Sequence, residues 1–181
     1  LGYPGSTGAP CIDYLLADAV LVGEGDEACY SEKIVRLPHS YQVNDTRRAP
    51  APRAPTRAEE GLPQQDLVLC CFNNVYKILP AAFAAWMRIL RQVDGSVLWL
   101  MGGEPAAPDN LRRGAAARGI DPGRLVFARF LPQAEHLARY PLADLFLDTL
   151  PYNAHTTASH ALRMGVPVVT LRGRAFAGRV A

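Results

Sequence analysis

Downstream of Gly61 the chain alternates between two hydrophobic patterns. Continuous apolar runs of strand length occur at Asp66–Phe72 (DLVLCCF), Ser96–Gly102 (SVLWLMG), Leu125–Leu131 (LVFARFL), Ala143–Thr149 (ADLFLDT) and Val166–Leu171 (VPVVTL). Between them lie segments of helical character. Leu79–Val93 carries Phe83, Trp86, Met87, Leu90 and Val93 at helical spacing, and Pro80 suits its first turn. Pro108–Gly119 reads as a helix with Asp109 near its start and Gly119 as its stop; Ala134–Tyr140 and Thr156–Gly165 read as two shorter ones. Strands that are apolar throughout and flanked by helices must be covered on both faces. The pattern therefore predicts a parallel sheet and an α/β, Rossmann-like fold.

Ahead of Gly61 the periodicity is weaker. Ile12–Leu16 and Ala19–Val22, punctuated by Asp13 and Asp18, predict a short buried strand followed by a loop. Ile34, Val35 and Leu37 predict another strand, stopped by Pro38. Arg47–Arg57 (RRAPAPRAPTR) has no period and reads as a linker stiffened toward polyproline II, with a basic partner-binding segment as the sharper alternative. The chain opens without Met and closes on RAFAGRVA, which reads as a helix just begun, so truncation at both ends is expected.

Composition narrows the class. With 49% hydrophobic and 20% charged residues, the 181-residue chain is of ordinary globular type rather than disordered. A formal net charge of +2 is too small a bias to argue for nucleic acid or an anionic membrane as partner. No apolar run reaches the roughly 18–20 residues of a membrane span, and LGYPGSTGAP lacks the basic start of a signal peptide. Cys11, Cys29, Cys70 and Cys71 form no CxxC pair; they read as small buried hydrophobes in a reducing, cytoplasmic setting.

Ligands of open parallel sheets bind beyond the carboxyl ends of the strands. Asn74 and Lys77 follow the first predicted strand of the alternating region. Leu131, His136 and Arg139 follow the third, and His155, Thr156 and Thr157 the fourth. This concentration of donors suits a polyanion. The unpaired amides at a helix start, with Thr156 or Thr157 as cap, could hold a diphosphate without a metal. Taken singly, a Thr cap is ordinary, and Asn74/Lys77 and His136/Arg139 are pairs that usually lie on a surface. No Asp-x-Asp pair or His/Cys cluster with ligand spacing occurs, and Asp144 and Asp148 read as local caps. The absence of G-x-G-x-x-G and of a P-loop argues against dinucleotide oxidoreductases and P-loop NTPases.

Taken together, LGYPGSTGAPCIDYLLAD, YSEKIVRLPHSY, CFNNVYKILP and the long block from RLVFARFLPQAEHLARY through LPYNAHTTASHALRMGVPVVTL resemble the catalytic region of the O-GlcNAc transferase and SPINDLY-type glycosyltransferases. The resemblance runs in order over nearly the whole chain. It implies a GT-B fold, with residues 1–46 as the end of the N-terminal catalytic lobe, 47–60 as linker and 61–181 as a truncated, nucleotide-sugar-binding C-terminal lobe. It implies inverting, metal-independent transfer of a sugar, N-acetylglucosamine from UDP-N-acetylglucosamine, to Ser or Thr hydroxyls of a protein acceptor, without a cofactor.

The same resemblance implies residue roles. Lys77 would meet the donor diphosphate and stabilise the leaving group, and Asn74 stands where a nucleotide-contacting glutamine is usual. Leu131 would present its backbone to the uracil, His136 would pack on the base and Arg139 would lie beside it. His155, Thr156 and Thr157 would meet ribose and phosphates, and Leu1, Gly2 and Pro4 form a loop near the sugar. Gln133 stands for a lysine, and His160 for an acidic residue that contacts the ribose. These departures keep two alternatives open: a non-catalytic nucleotide-binding module, or a transferase that uses GDP-fucose or UDP-glucose.

Overall fold

A computed structural model describes residues 4–181. Strands β3 (Val68–Cys71), β4 (Val97–Met101), β5 (Leu125–Ala128), β6 (Leu145–Leu147) and β7 (Val168–Val169) form one sheet in the order β5-β4-β3-β6-β7. Every neighbouring pair is parallel, as the continuous apolar runs require. Each strand is a short segment inside its predicted run, and β3 and β4 are buried along their whole length. Helices α1 (Pro80–Gln92), α2 (Ala106–Ala116), α3 (Gln133–Arg139) and α4 (Thr156–Arg163) fill the connections.

The helix limits follow local chemistry. Pro80 opens α1, where a missing N–H costs nothing. The helix buries Phe83, Trp86, Met87 and Leu90 against the sheet, each worth about 1.5–3 kcal/mol of apolar burial. Val93, assigned to that face by its spacing, is instead the exposed C-terminal cap. Helix α2 starts before Pro108, which sits in its first turn, and Gly119 takes φ +72° beyond its end. The core is centred on β4, where Leu98, Trp99 and Leu100 are fully buried.

The N-terminal part is a smaller unit. Strands β1 (Tyr14–Ala17) and β2 (Lys33–Arg36) pair in parallel. The expected buried strand is open instead: Tyr14 and Leu16 are 59% and 41% exposed, and Ala17 is the residue that is buried. The reason is limited cover, because a second cluster of Ala17, Leu21, Val22, Tyr41 and Phe176 packs at the strand's end. Phe176 joins that cluster from a single 3-10 turn, Phe176–Gly178, where a helix was expected. The cysteines divide: Cys70 and Cys71 are buried in β3, whereas Cys11 and Cys29 are exposed.

The Pro/Arg-rich stretch forms no helix or strand but is held in place. The Ala51 amide donates to the Ala134 carbonyl at 2.8 Å, and Arg57 donates to the Leu142 carbonyl at 3.1 Å and to Asp144 at 2.9 Å. No helix among the described residues is long and apolar enough to cross a membrane.

Candidate functional site

The sheet order places β3 and β6 side by side in its middle, with the chain building outward from β3 on one side and from β6 on the other. That is a topological switch point, and the residues that leave β3 and β6 converge there. Asn73, Asp148, Thr149 and Asn153 form a buried polar network at this point. Asp148 Oδ1 accepts from the amides of Thr149 and Ala154, both at 2.7 Å, and Oδ2 accepts from the Thr170 hydroxyl at 2.6 Å. Asn73 Nδ2 donates to Thr149 Oγ1 at 2.8 Å, and its Oδ1 accepts from the Thr157 hydroxyl. Asn153 Nδ2 donates to the Thr149 carbonyl at 2.9 Å. Buried groups so paired escape the desolvation cost and hold the 149–157 turn rigid.

Lys77 reaches this turn from the 3-10 turn Val75–Lys77 after β3. Its Nζ donates to the Asn153 carbonyl at 3.0 Å and lies 4.1 Å from the centre of the Tyr152 ring. Burial draws its pKa below the ordinary lysine value, while the Asp148 carboxylate pulls the other way. Two residues beyond Asn153, His155 caps α4, with Thr156 and Thr157 as its first two residues. The cap was expected at Thr156 or Thr157. Its true position follows from the backbone of His155, at φ −106° and ψ −99°, which is outside helical space. The first α-helical bond runs from the Ser159 amide to the His155 carbonyl, so the preceding amides have no partner within the helix.

His155 stands at the seam between the two units. Its Nδ1 is 3.4 Å from the Tyr41 hydroxyl, and its ring stacks on Tyr152 at 5.8 Å and 29°. Burial and then the charge of Lys77 lower its pKa. A neutral imidazole beside the lysine leaves the net positive charge on Lys77 and on the α4 dipole.

A second group of predicted residues surrounds a cavity of about 320 Å³, lined by Met101, Phe130, Leu131, Gln133, His136 and Arg139. Arg139, expected beside the base with His136 although such a pair taken singly usually lies on a surface, is fully buried. Its guanidinium lies over the Phe72 ring at 5.1 Å and donates to the Arg129 carbonyl at 2.8 Å and to His136 Nδ1. Burial first and Arg139 second bring the pKa of His136 down to about 4. The His136 ring is 6.4 Å from that of His160 on α4, so the cavity and the α4 turn adjoin. His160, with Arg48, Thr156 and Arg163, lines a further cavity of about 270 Å³, and burial followed by those two arginines lowers its pKa.

Other predicted positions are more loosely placed. Asn74 caps the Val75–Lys77 turn through its side chain and lines a third cavity, with Gly103, Glu104 and Phe130. It is exposed and does not share a face with Lys77, which turns toward Asn153. Pro4 is half-buried ahead of a loop that the buried Glu32 holds, through the Ser6 hydroxyl at 2.8 Å and the Thr7 amide at 2.7 Å. The Thr7 hydroxyl first, then the Thr7 amide and the Ser6 hydroxyl, lower the Glu32 pKa to about 2. No hydrogen bond joins this loop to Lys77 or α4 among the described residues, and Leu1 and Gly2 lie outside the described residues. Among the described residues no three His, Cys, Asp or Glu side chains gather as a metal site. Spacing did not reveal Asn73 or Tyr152, because Asn73 meets Asp148 and Thr157 across 75 and 84 residues and Tyr152 meets Lys77 across a similar span, whereas Asp148, read as a local cap, does accept from the nearby Thr149 and Ala154 amides.

A parallel five-stranded sheet with a switch point between β3 and β6 is a Rossmann-like arrangement, the α/β class to which the GT-B fold belongs. The sequence model of glycosyl transferase family 41 matches residues 49–181. The chain is 40% identical over 186 residues to a protein of Arabidopsis thaliana named probable UDP-N-acetylglucosamine–peptide N-acetylglucosaminyltransferase SEC, covering 100% of this chain and 19% of that protein. It is 34% identical to the similarly named SPINDLY protein of Solanum lycopersicum, over 99% of this chain and 19% of that one. A mutant O-GlcNAc transferase of Thermobaculum terrenum superposes with a TM-score of 0.84 at 34% identity, covering 99% of this chain and 34% of that chain. The chain belongs to glycosyl transferase family 41. It spans 19% of the length of these curated relatives.

Proposed function

We propose that this protein transfers N-acetylglucosamine from UDP-N-acetylglucosamine to Ser or Thr hydroxyls of protein acceptors, by single inversion and without a metal. The observation that carries the reading is the bond from Lys77 Nζ to the Asn153 carbonyl at 3.0 Å, two residues before the cap of α4. One ammonium and a set of unpaired amides are thereby brought to one turn. In the transfer, the acceptor oxygen bonds to the anomeric carbon as the bond from that carbon to the diphosphate oxygen breaks, and the hydroxyl proton passes to water. Negative charge grows on the departing diphosphate. Lys77 and the first amides of α4 are groups whose attraction for that charge strengthens along the way. Leu131, His136 and Arg139 would receive the uracil in the adjoining cavity, and Thr156 and His160 line the space next to it.

The names of the relatives support the donor and the acceptor class. Calorimetry on the intact protein with UDP and GDP, with and without EDTA, together with peptide glycosylation from UDP-N-acetylglucosamine, tests the reading. UDP binding well above GDP, unaffected by EDTA, with a β-linked product, is expected. Absence of UDP binding overturns it; preference for GDP redirects it to a different donor.

A further inference from the structure

Tyr152 was not among the residues singled out by sequence, yet its ring lies against both Lys77 and His155. The Lys77 ammonium lies 4.1 Å from the ring centre, and the His155 imidazole stacks on the ring at 5.8 Å. The backbone on which Tyr152 sits is fixed. Thr149 Oγ1 donates to the Tyr152 carbonyl at 2.7 Å, and the Asn153 amide donates to the Ala177 carbonyl at 2.8 Å. Lys77 therefore has two partners from one rigid turn: a carbonyl oxygen and the negative face of an aromatic ring. A free lysine side chain has many rotamers, and that freedom must be lost before its charge acts at one point. The ring and the carbonyl remove that freedom in advance, in a half-buried site where cation–π attraction is stronger than at a surface.

We propose that Tyr152 is a positioning residue for Lys77: its ring holds the ammonium beside the first turn of α4, so that an incoming diphosphate meets an ordered cation. This rests on the transferase reading above. Tyr152→Leu keeps most of the bulk and removes the π face, and Tyr152→Phe keeps the face. In the intact protein, Tyr152→Leu lowers kcat about 3- to 10-fold, the range of one cation–π contact, and Tyr152→Phe restores it to within about twofold. In a Lys77→Ala background, Tyr152→Leu changes the residual rate by less than about twofold, because the group it acts through is gone. A loss of equal size in both backgrounds, or no loss in either, overturns the proposal.

A second measurement needs no donor. The rate of Lys77 acetylation by acetic anhydride, read by peptide mass spectrometry at unchanged melting temperature, rises at least about threefold in Tyr152→Leu and stays at the parent value in Tyr152→Phe. Equal labelling in all three proteins overturns the contact. Failure of the parent protein to bind UDP overturns the transferase reading instead, and the labelling result still decides whether the ring holds the lysine.

Discussion

Arg139 Nη2 lies 2.6 Å from His136 Nδ1, and Arg139 Nε donates to the same nitrogen at 3.1 Å. Arginine has donors and no acceptor, so Nδ1 of His136 must be the acceptor. The proton then sits on Nε2, and the ring is a neutral donor at physiological pH. A fully buried arginine, held over Phe72 and by the Arg129 carbonyl, thus fixes both the orientation and the tautomer of the histidine that lines the base-side cavity.

The same pair makes stability depend on pH in one direction. The pKa of His136 is lowered from 6.5 to about 4, first by burial and then by Arg139. Between those values the unfolded chain binds the proton and the folded one does not, so stability rises with pH across this window. The contribution is fully present above pH 6.5 and is lost as pH falls toward about 4. His155 and His160, lowered in the same sense, act in the same direction. Urea titrations at pH 4.5 and pH 7 should differ, and His136→Asn, which keeps an acceptor for Arg139, should reduce the difference by about 1–2 kcal/mol after solvent screening. An unchanged pH dependence in His136→Asn contradicts the assignment.

Lys77→Ala in the intact protein should lower turnover by about two to three orders of magnitude, the loss typical of one charge-stabilising donor. The fold should survive, because Nζ bonds only the main-chain carbonyl of Asn153 and donates to none of the side chains that tie the buried network together. The KM for the donor should change much less than kcat if the lysine acts on charge that appears as the diphosphate leaves. Turnover near the parent value at unchanged melting temperature would remove Lys77 from the reaction.

Much of the scaffold is legible in the sequence, for a physical reason. A parallel strand buried on both faces must be apolar at every position, so DLVLCCF and SVLWLMG announce β3 and β4. The spacing of Phe83, Trp86, Met87 and Leu90 likewise announces the buried face of α1. Apolar content does not state how much cover a strand receives, and β1, with Tyr14 and Leu16 exposed, shows the difference. The site divides along the same line. Lys77, His136, Arg139 and the His155–Thr157 turn stand out because each follows a strand end. What ties them together does not, since Asn73 meets Thr157 across 84 residues and Lys77 meets Asn153 across 76. Residue type suggested a Thr cap for α4, whereas the backbone of His155 decided it.

Asp148 is the centre of the network, with two amides and a hydroxyl donating to its carboxylate. Asp148→Asn keeps the shape and one acceptor oxygen for the Thr149 and Ala154 amides, but removes the charge and sets an NH2 group against the Thr170 hydroxyl, which must reverse to accept. Hydrogen bonds to a charged group are worth about 1.5–3 kcal/mol, and a mispaired buried donor costs as much again or less. A loss of about 2–4 kcal/mol in chemical denaturation is expected, with the melting transition remaining cooperative. A substitution that costs less than about 0.5 kcal/mol would show that the carboxylate is not the organising acceptor.

Thr157 separates the effect of that network on the ligand from its effect on the fold. Its hydroxyl donates to Asn73 Oδ1, and Asn73 is 2% exposed, so Thr157→Val leaves a buried acceptor without a partner. The cost to folding should be about 1–3 kcal/mol. The link also ties the first turn of α4 to the end of β3, from which Lys77 approaches. Freed of it, the amides and the ammonium no longer share one geometry, and UDP affinity should fall by about 3- to 10-fold, roughly the worth of one hydrogen bond. Uridine, which lacks the diphosphate, should bind the variant and the parent equally. Thr157→Ser keeps the hydroxyl and should recover both properties. Equal losses for UDP and uridine would mean that the link supports the fold alone and does not set the diphosphate site.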